Sequence, residues 1–188
     1  MAKKVWYKSA LGYFRDWLHL NRVEMELRSM AIGMNSTVDY TQDKHIPMID
    51  FDVDDLERVE RSVRECQEFW YLGDAHIFKT KRGFHAIFFT TIVPYGRLKM
   101  IIEYARDCDV MFKYISRYYN HRTLRVSRKY GDRDIKFVEI LRGVRREPTA
   151  EERELGEMKL AEHQSLVGWT YEDVDKGEAK GKGKGNDV

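Results

Sequence analysis

Asp50 and Asp52 stand two residues apart in the short apolar run Ile46-Pro47-Met48-Ile49-Asp50-Phe51-Asp52-Val53. On an extended strand, side chains two apart share a face, so both carboxylates would project together while Ile49, Phe51 and Val53 turn the other way. Paired carboxylates on a rigid strand can grip hard divalent cations, and two such ions about 4 Å apart serve in-line phosphoryl transfer. Acids at a strand end also serve as caps for a following helix, which is the reading that fits Asp54 and Asp55. A second group follows in Lys79-Thr80-Lys81-Arg82-Gly83-Phe84-His85. Amides at a glycine turn, flanking cations and an imidazole together suit a triphosphate; the plain alternative is a basic, solvated hairpin with a histidine packed on the sheet.

Positioning these groups requires particular elements. Residues 46–53 read as a strand. Leu56, Val59, Val63, Cys66, Phe69 and Trp70 recur at helical spacing behind Asp54 and Asp55, with Gly73-Asp74 as the expected stop. Residues 75–80 and 84–91 read as strands joined by the turn Lys81-Arg82-Gly83, and residues 96–107 as a second helix through Leu98, Ile101, Ile102 and Ala105. A fourth strand is expected between Phe112 and Val126, most firmly over 123–127, and another over 135–141. Strand, helix, strand, strand, helix, strand is the order of an α+β, ferredoxin-like split β-α-β unit, an RRM-like antiparallel sheet with its helices on one face. In that topology the first and third strands are central antiparallel neighbours. Asp50, Asp52 and His85 would converge on the open face.

The flanks are simpler. Ser9 caps a helix over 9–20 with Leu11, Phe14, Trp17 and Leu18 at helical spacing; Trp6, Trp17 and Trp70 read as core, and 22–41 fits either a strand pair or a helix. Thr149 and Glu152 make a capping-box pattern opening a helix that runs to about His163, after which Trp169 and Tyr171 could dock back on the core. The division is therefore 1–45, an N-terminal helix and connecting elements; 46–146, the core; 147–171, a C-terminal helix and docking segment; and 172–188, a Lys/Gly tail expected to be disordered.

Composition bounds the function. The 188 residues are 43% hydrophobic and 13% aromatic, enough for one cored domain, with a net charge of only +2. Residues 113–146 nevertheless hold 11 basic groups against 3 acidic ones, a local surplus suited to a phosphate backbone. In that block Lys113, Arg117, Arg128, Lys129 and Arg133 interleave with Tyr114, Tyr118, Tyr119 and Tyr130, cations for phosphates and aromatics for unpaired bases. Two cysteines are too few for a disulfide scaffold or a cysteine-rich zinc site. With no apolar run near the roughly 20 residues of a membrane span and no signal-peptide core, a soluble, cytoplasmic protein without membrane partners is expected.

The three segments Ile49-Asp50-Phe51-Asp52, Lys79-Thr80-Lys81-Arg82-Gly83-Phe84-His85 and Arg122-Thr123-Leu124-Arg125-Val126-Ser127 together resemble the signature of the archaeo-eukaryotic primase superfamily, over roughly residues 46–142. The resemblance implies a primase catalytic core of RRM-like fold that joins nucleotides on a single-stranded DNA template with two Mg2+ or Mn2+ ions. It makes Asp50 and Asp52 metal ligands and catalytic residues. It assigns the incoming NTP or dNTP to Lys79, Thr80, Lys81, Arg82, Gly83, His85, Arg122, Arg125 and Ser127, with Lys113, Arg117, Tyr118, Arg128 and Lys129 on nucleic acid. The third acid departs from the family pattern: Asp109 is preferred to Asp107 and Asp134 because the apolar run Val110-Met111-Phe112 follows it directly. The zinc cluster of many replicative primases has no counterpart. A replisome or helicase partner, nucleoid association and a plasmid or viral origin fit such a protein. The rival is a non-catalytic RRM-like single-strand-binding protein, which would need stacking aromatics where this sheet carries acids. A related initiator nuclease is set aside, because no two of the histidines at 19, 45, 76, 85, 121 and 163 stand two apart.

Overall fold

The computed structural model describes residues 33–39, 43–126, 135–144 and 147–167. Two short strands, β1 (Gly33–Asn35) and β2 (Thr37–Asp39), resolve the described part of the ambiguous 22–41 segment as extended chain. They are followed by β3 (Lys44–His45), β4 (Met48–Phe51), α1 (Leu56–Trp70), β5 (Ala75–Lys79) and β6 (Phe84–Ile87). Next come α2 (Tyr95–Tyr104), α3 (Val110–Ser116), β7 (Thr123–Arg125), β8 (Lys136–Leu141) and α4 (Ala150–Val167). The architecture is α+β with antiparallel sheets and four helices among the described residues, compatible with a split β-α-β unit.

β4, β6, β5 and β8 form one antiparallel sheet in that order. β4 and β6 are neighbours with Asp50 opposite His85, as expected, but β4 ends the ladder instead of sitting at its centre. The expected fourth strand, β7, lies near β4 yet pairs with β1, Gly33 opposite Arg125, in a ribbon of its own. β8 extends the opposite edge beside β5.

α1 and α2 form from the periodicities read in the sequence. Asp55 caps α1, its carboxylate accepting the Arg58 amide at 3.2 Å. Asp54 instead takes an ion pair from Lys79 at 2.5 Å. Helix α1 closes on Tyr71 at φ 55, ahead of the glycine expected to stop it. Gly73 packs on the Thr90 and Thr91 hydroxyls. Val59, Val63 and Cys66 of α1 and Leu98, Ile101 and Ile102 of α2 are fully buried in the core. Glu60 of α1 hydrogen-bonds Glu139, which stands opposite Ile77 in the ladder, so α1 covers the Ile77 face.

The other face is not open. The capping box forms as read, the Thr149 amide donating to Glu152 at 3.0 Å and the Glu152 amide to the Thr149 hydroxyl at 3.2 Å. The helix it starts, α4, lies across the face that carries His85 and Phe78. The His163 ring sits 4.3 Å from Phe78, and a Cβ on Gly156 would come within 2.2 Å of the Phe89 carbonyl oxygen. A sheet with helices on one face is therefore corrected to a sheet covered on both. The inward side of α4 is Glu152, Gly156, Lys159 and His163, a polar stripe that no apolar periodicity marks.

Candidate functional site

Strand β4 delivers Asp50 to its last turn of pleat, and β6 places His85 directly across from it, Nε2 3.5 Å from Oδ1. His85 is 4% exposed, and burial pushes its imidazole down to about 4. It is therefore neutral near pH 7, and the contact with Asp50 is not an ion pair. Its Nδ1 has no hydrogen-bond partner. Asp50 is raised to about 6, first by desolvation and then by the charges of Asp109 and Asp52, against the opposing pull of Arg125 and Arg122. The three acids and the two arginines thus share one field.

Asp109 reaches this place through the backbone. Its amide donates to the Asp50 carbonyl at 2.7 Å, and Cys108 forms an antiparallel bridge with Phe51, so the chain leaving α2 runs along the free edge of β4. The apolar run Val110-Met111-Phe112 that follows Asp109 opens the helix α3, and the Asp109 carboxylate caps that helix by accepting the Phe112 amide at 2.5 Å. Asp107 is engaged in an ion pair with Arg58, and Asp134 lies outside the described residues. Asp52, exposed just beyond β4, lines an open cleft of about 400 Å³ together with Arg58, Asp107 and Asp109. Arg58 carried no motif; only its position one turn past the acids could have pointed to it.

The hairpin turn is built tightly against β4. A Cβ on Gly83 would lie 1.7 Å from the Phe51 carbonyl oxygen, so only glycine fits. The Thr80 hydroxyl accepts the Gly83 amide at 3.0 Å and the Thr80 amide donates to the Gly83 carbonyl at 2.9 Å, closing the turn. Lys79 is held inward by Asp54, by the Gly83 carbonyl at 3.3 Å and over the Phe84 ring at 4.3 Å. Lys81 and Arg82 are exposed at the tip.

The basic segment divides in two. Arg122 is buried at 5% exposure, its guanidinium 4.0 Å over the Phe112 ring and its Nε without a hydrogen-bond partner. Arg125 is exposed on β7. Lys113 turns inward to the carbonyls of Glu103 and Ala105, and Arg117 makes a two-pronged pair with Glu103 at 2.8 and 3.0 Å. Tyr118 is exposed and donates its hydroxyl to that of Tyr114 at 3.2 Å. Ser127, Arg128 and Lys129 lie outside the described residues, as do Trp6, Trp17, Tyr130, Trp169, Tyr171 and the Lys/Gly tail.

Comparison with protein-family models, curated proteins and solved structures found no match.

The donor set at β4, carboxylates of which one is raised by burial and then by its neighbours' charge, has the chemistry a hard divalent cation relieves. Among the described residues, however, no three of the His, Cys, Asp and Glu side chains are gathered closely enough to hold a metal ion. Asp52 and Asp109 would have to turn toward Asp50 to do so. No helix among the described residues is long and apolar enough to cross a membrane.

Proposed function

We propose that the chain is a template-dependent nucleotidyltransferase of primase-polymerase type, joining NTPs or dNTPs on single-stranded DNA. The observation that supports this reading best is the cross-strand pair of Asp50 and His85 with Asp109 tied to the Asp50 backbone. Segments far apart in sequence meet there, at the edge carrying the glycine turn.

Asp50, Asp52 and Asp109 would hold two Mg2+ or Mn2+ ions. Such ions lower the pKa of an attacking 3′-hydroxyl and neutralise charge on the triphosphate and the departing pyrophosphate. Lys81 and Arg82, exposed on a turn that Gly83 and Thr80 hold rigid, would meet the phosphates; Lys79 braces that turn through Asp54 and the Gly83 carbonyl. Arg125, exposed beside Asp50, would take a phosphate of the nucleotide or template, while Arg122 supports α3 from below. His85, buried and neutral with its Nε2 3.5 Å from Asp50, would steady that carboxylate from the neighbouring strand.

Incorporation of labelled nucleotides on single-stranded DNA with Mn2+ tests the reading, using wild type and the Asp50→Ala/Asp52→Ala variant. Loss of the order of 100-fold or more is expected, the scale seen when transition-state charge stabilisation is removed. Incorporation that survives the double substitution contradicts it. Metal-independent binding of single strands without any incorporation would favour the non-catalytic rival.

A further inference from the structure

Strand β4 ends between two different surroundings. On one edge it pairs with β6 and meets the glycine turn, the Phe51 carbonyl oxygen lying where a Cβ of Gly83 would be. Along the other edge runs the chain leaving α2, through the Phe51–Cys108 bridge and the Asp109 amide on the Asp50 carbonyl. The open cleft of about 400 Å³ is lined from this second edge, and its volume is in the range of small-ligand sites. The glycine turn and the cleft therefore flank the same carboxylates from opposite edges. A nucleotidyltransferase joins two anionic substrates, and the cations of the turn account for only one of them.

Arg58 is the one cation among the described residues that line the cleft. It is half exposed, and its guanidinium is held by Asp107. An exposed pair of this kind is worth little, whereas a phosphate accepts the guanidinium fork in two charge-assisted hydrogen bonds. The aspartate is fixed and the arginine is not. Asp107 sits at φ 55 between the Arg106 carbonyl, which accepts the Ser62 hydroxyl at 2.7 Å, and the Asp109 amide, bonded to Asp50 at 2.7 Å. Arg58, on a long side chain in the first turn of α1, can turn from that carboxylate to a phosphate without moving the loop. The rest of the lining is apolar, with Met111 59% exposed. From Met111 the exposed rings of Tyr114 and Tyr118, 4.9 Å apart, continue outward along α3. Such rings take the faces of unpaired bases. The path from Met111 to Tyr118 rises about 10 Å at 1.5 Å per residue, room for about three nucleotides at roughly 3.4 Å each.

We propose that this cleft receives the single strand whose 3′ end is extended, Arg58 trading Asp107 for a backbone phosphate while Met111, Tyr114 and Tyr118 carry the bases. The assignment deepens the nucleotidyltransferase reading and rests on it.

Fluorescence anisotropy with a 5′-labelled oligodeoxythymidylate, in Mn2+ and without nucleotide, tests it on the full chain as wild type, Arg58→Met and Asp107→Asn. Asparagine tolerates the positive φ of position 107, and methionine keeps an unbranched, helix-forming side chain at position 58. Arg58→Met should weaken binding about tenfold or more, the scale of a charge-assisted hydrogen bond. It should also make the slope of log K against log salt shallower by about 0.7, one phosphate of a single strand. Asp107→Asn, which releases Arg58, should tighten binding by up to about fivefold, the strength of an exposed ion pair. A pair that only ties α1 to the loop predicts neither the opposite signs nor the altered slope. Equal affinities in all three proteins, or both variants weakening together, overturn the proposal. So does full displacement of the oligonucleotide by a nucleoside triphosphate, which would assign Arg58 to the triphosphate. Incorporation with Mn2+, measured on the same proteins, separates the two claims. Incorporation by wild type with oligonucleotide binding unchanged in both variants overturns this proposal alone; a wild type that binds the strand but incorporates nothing overturns the reading and, with it, the assignment of the 3′ end.

Discussion

The two faces of the β4-β6-β5-β8 sheet are covered by helices of opposite character. Against α1 and α2 the contact is almost wholly apolar, through Val59, Val63, Cys66, Leu98, Ile101 and Ile102. Against α4 it is mixed: His76, His85 and His163 are buried beside Phe78 and Phe89, and α4 also buries Glu152 and Lys159. The Lys159 ammonium donates to the Asn35 carbonyl at 3.0 Å and to Glu162 at 2.8 Å, the pairing a buried cation needs. The first face is what specifies the fold; the second borders Asp50 and carries the groups whose ionisation the fold controls.

The largest effect should come from the apolar face. Ile102→Ala removes a fully buried side chain and is expected to cost about 2–5 kcal/mol in urea unfolding, with little dependence on pH. Gly156→Ala attacks the other face by forcing α4 away from the Phe89 carbonyl. An overpacking loss of about 1–3 kcal/mol is expected, with exchange quickened over 150–167 and α1 unaffected. Equal disturbance of both helices would erase the distinction between the faces.

Acid should separate the faces further. Burial lowers His76 and His85 to about 4 and His163 to about 3, from 6.5 in the unfolded chain. Groups depressed in the fold contribute stability that is fully present above pH 6.5 and is lost as pH falls toward those values. Unfolding midpoints should therefore decline below pH 6.5, and His163→Phe should flatten that slope. The apolar face has one titrating pair, and its sign is opposite. Desolvation, then the hydrogen bond and charge of Glu60, raise Glu139 from 4.5 to about 7. Its contribution is present below pH 4.5 and is lost as pH rises through about 7. Glu139→Gln should thus stabilise the protein slightly above pH 7 and do nothing at pH 4; a uniform shift at all pH values would show that the pair is not the cause.

What was legible in the sequence follows the same division. Elements set by local rules, such as α1 with its Asp55 cap, the β5-β6 hairpin closed by Thr80 and Gly83, and the Thr149–Glu152 capping box, appear where they were read. The strand and helix order made the Asp50 and His85 strands neighbours, and parity put the two side chains on one face, where they stand opposite each other. The helix over Val110-Met111-Phe112 was not legible because so short an apolar run has no period of its own, and the Asp109 cap that starts it shows only in the structure. The roof over the second face was not legible because the side of α4 that is buried carries Glu152, Gly156, Lys159 and His163, with no apolar period to mark it. The edge position of β4 and the partner of β7 depend on contacts between distant segments, β1 with β7 above all, that no local pattern encodes.

The central claim is that the carboxylates at the end of β4 form a metal-dependent nucleotide site. Equilibrium Mn2+ binding, followed by electron paramagnetic resonance with and without a nucleoside triphosphate, tests it most directly. The account predicts that the triphosphate tightens Mn2+ binding to the wild-type chain and that Asp50→Asn, which keeps the shape of the side chain and the contact distance to His85, abolishes the uptake. Mn2+ binding that is indifferent to the triphosphate, or that persists unchanged in Asp50→Asn, would contradict it.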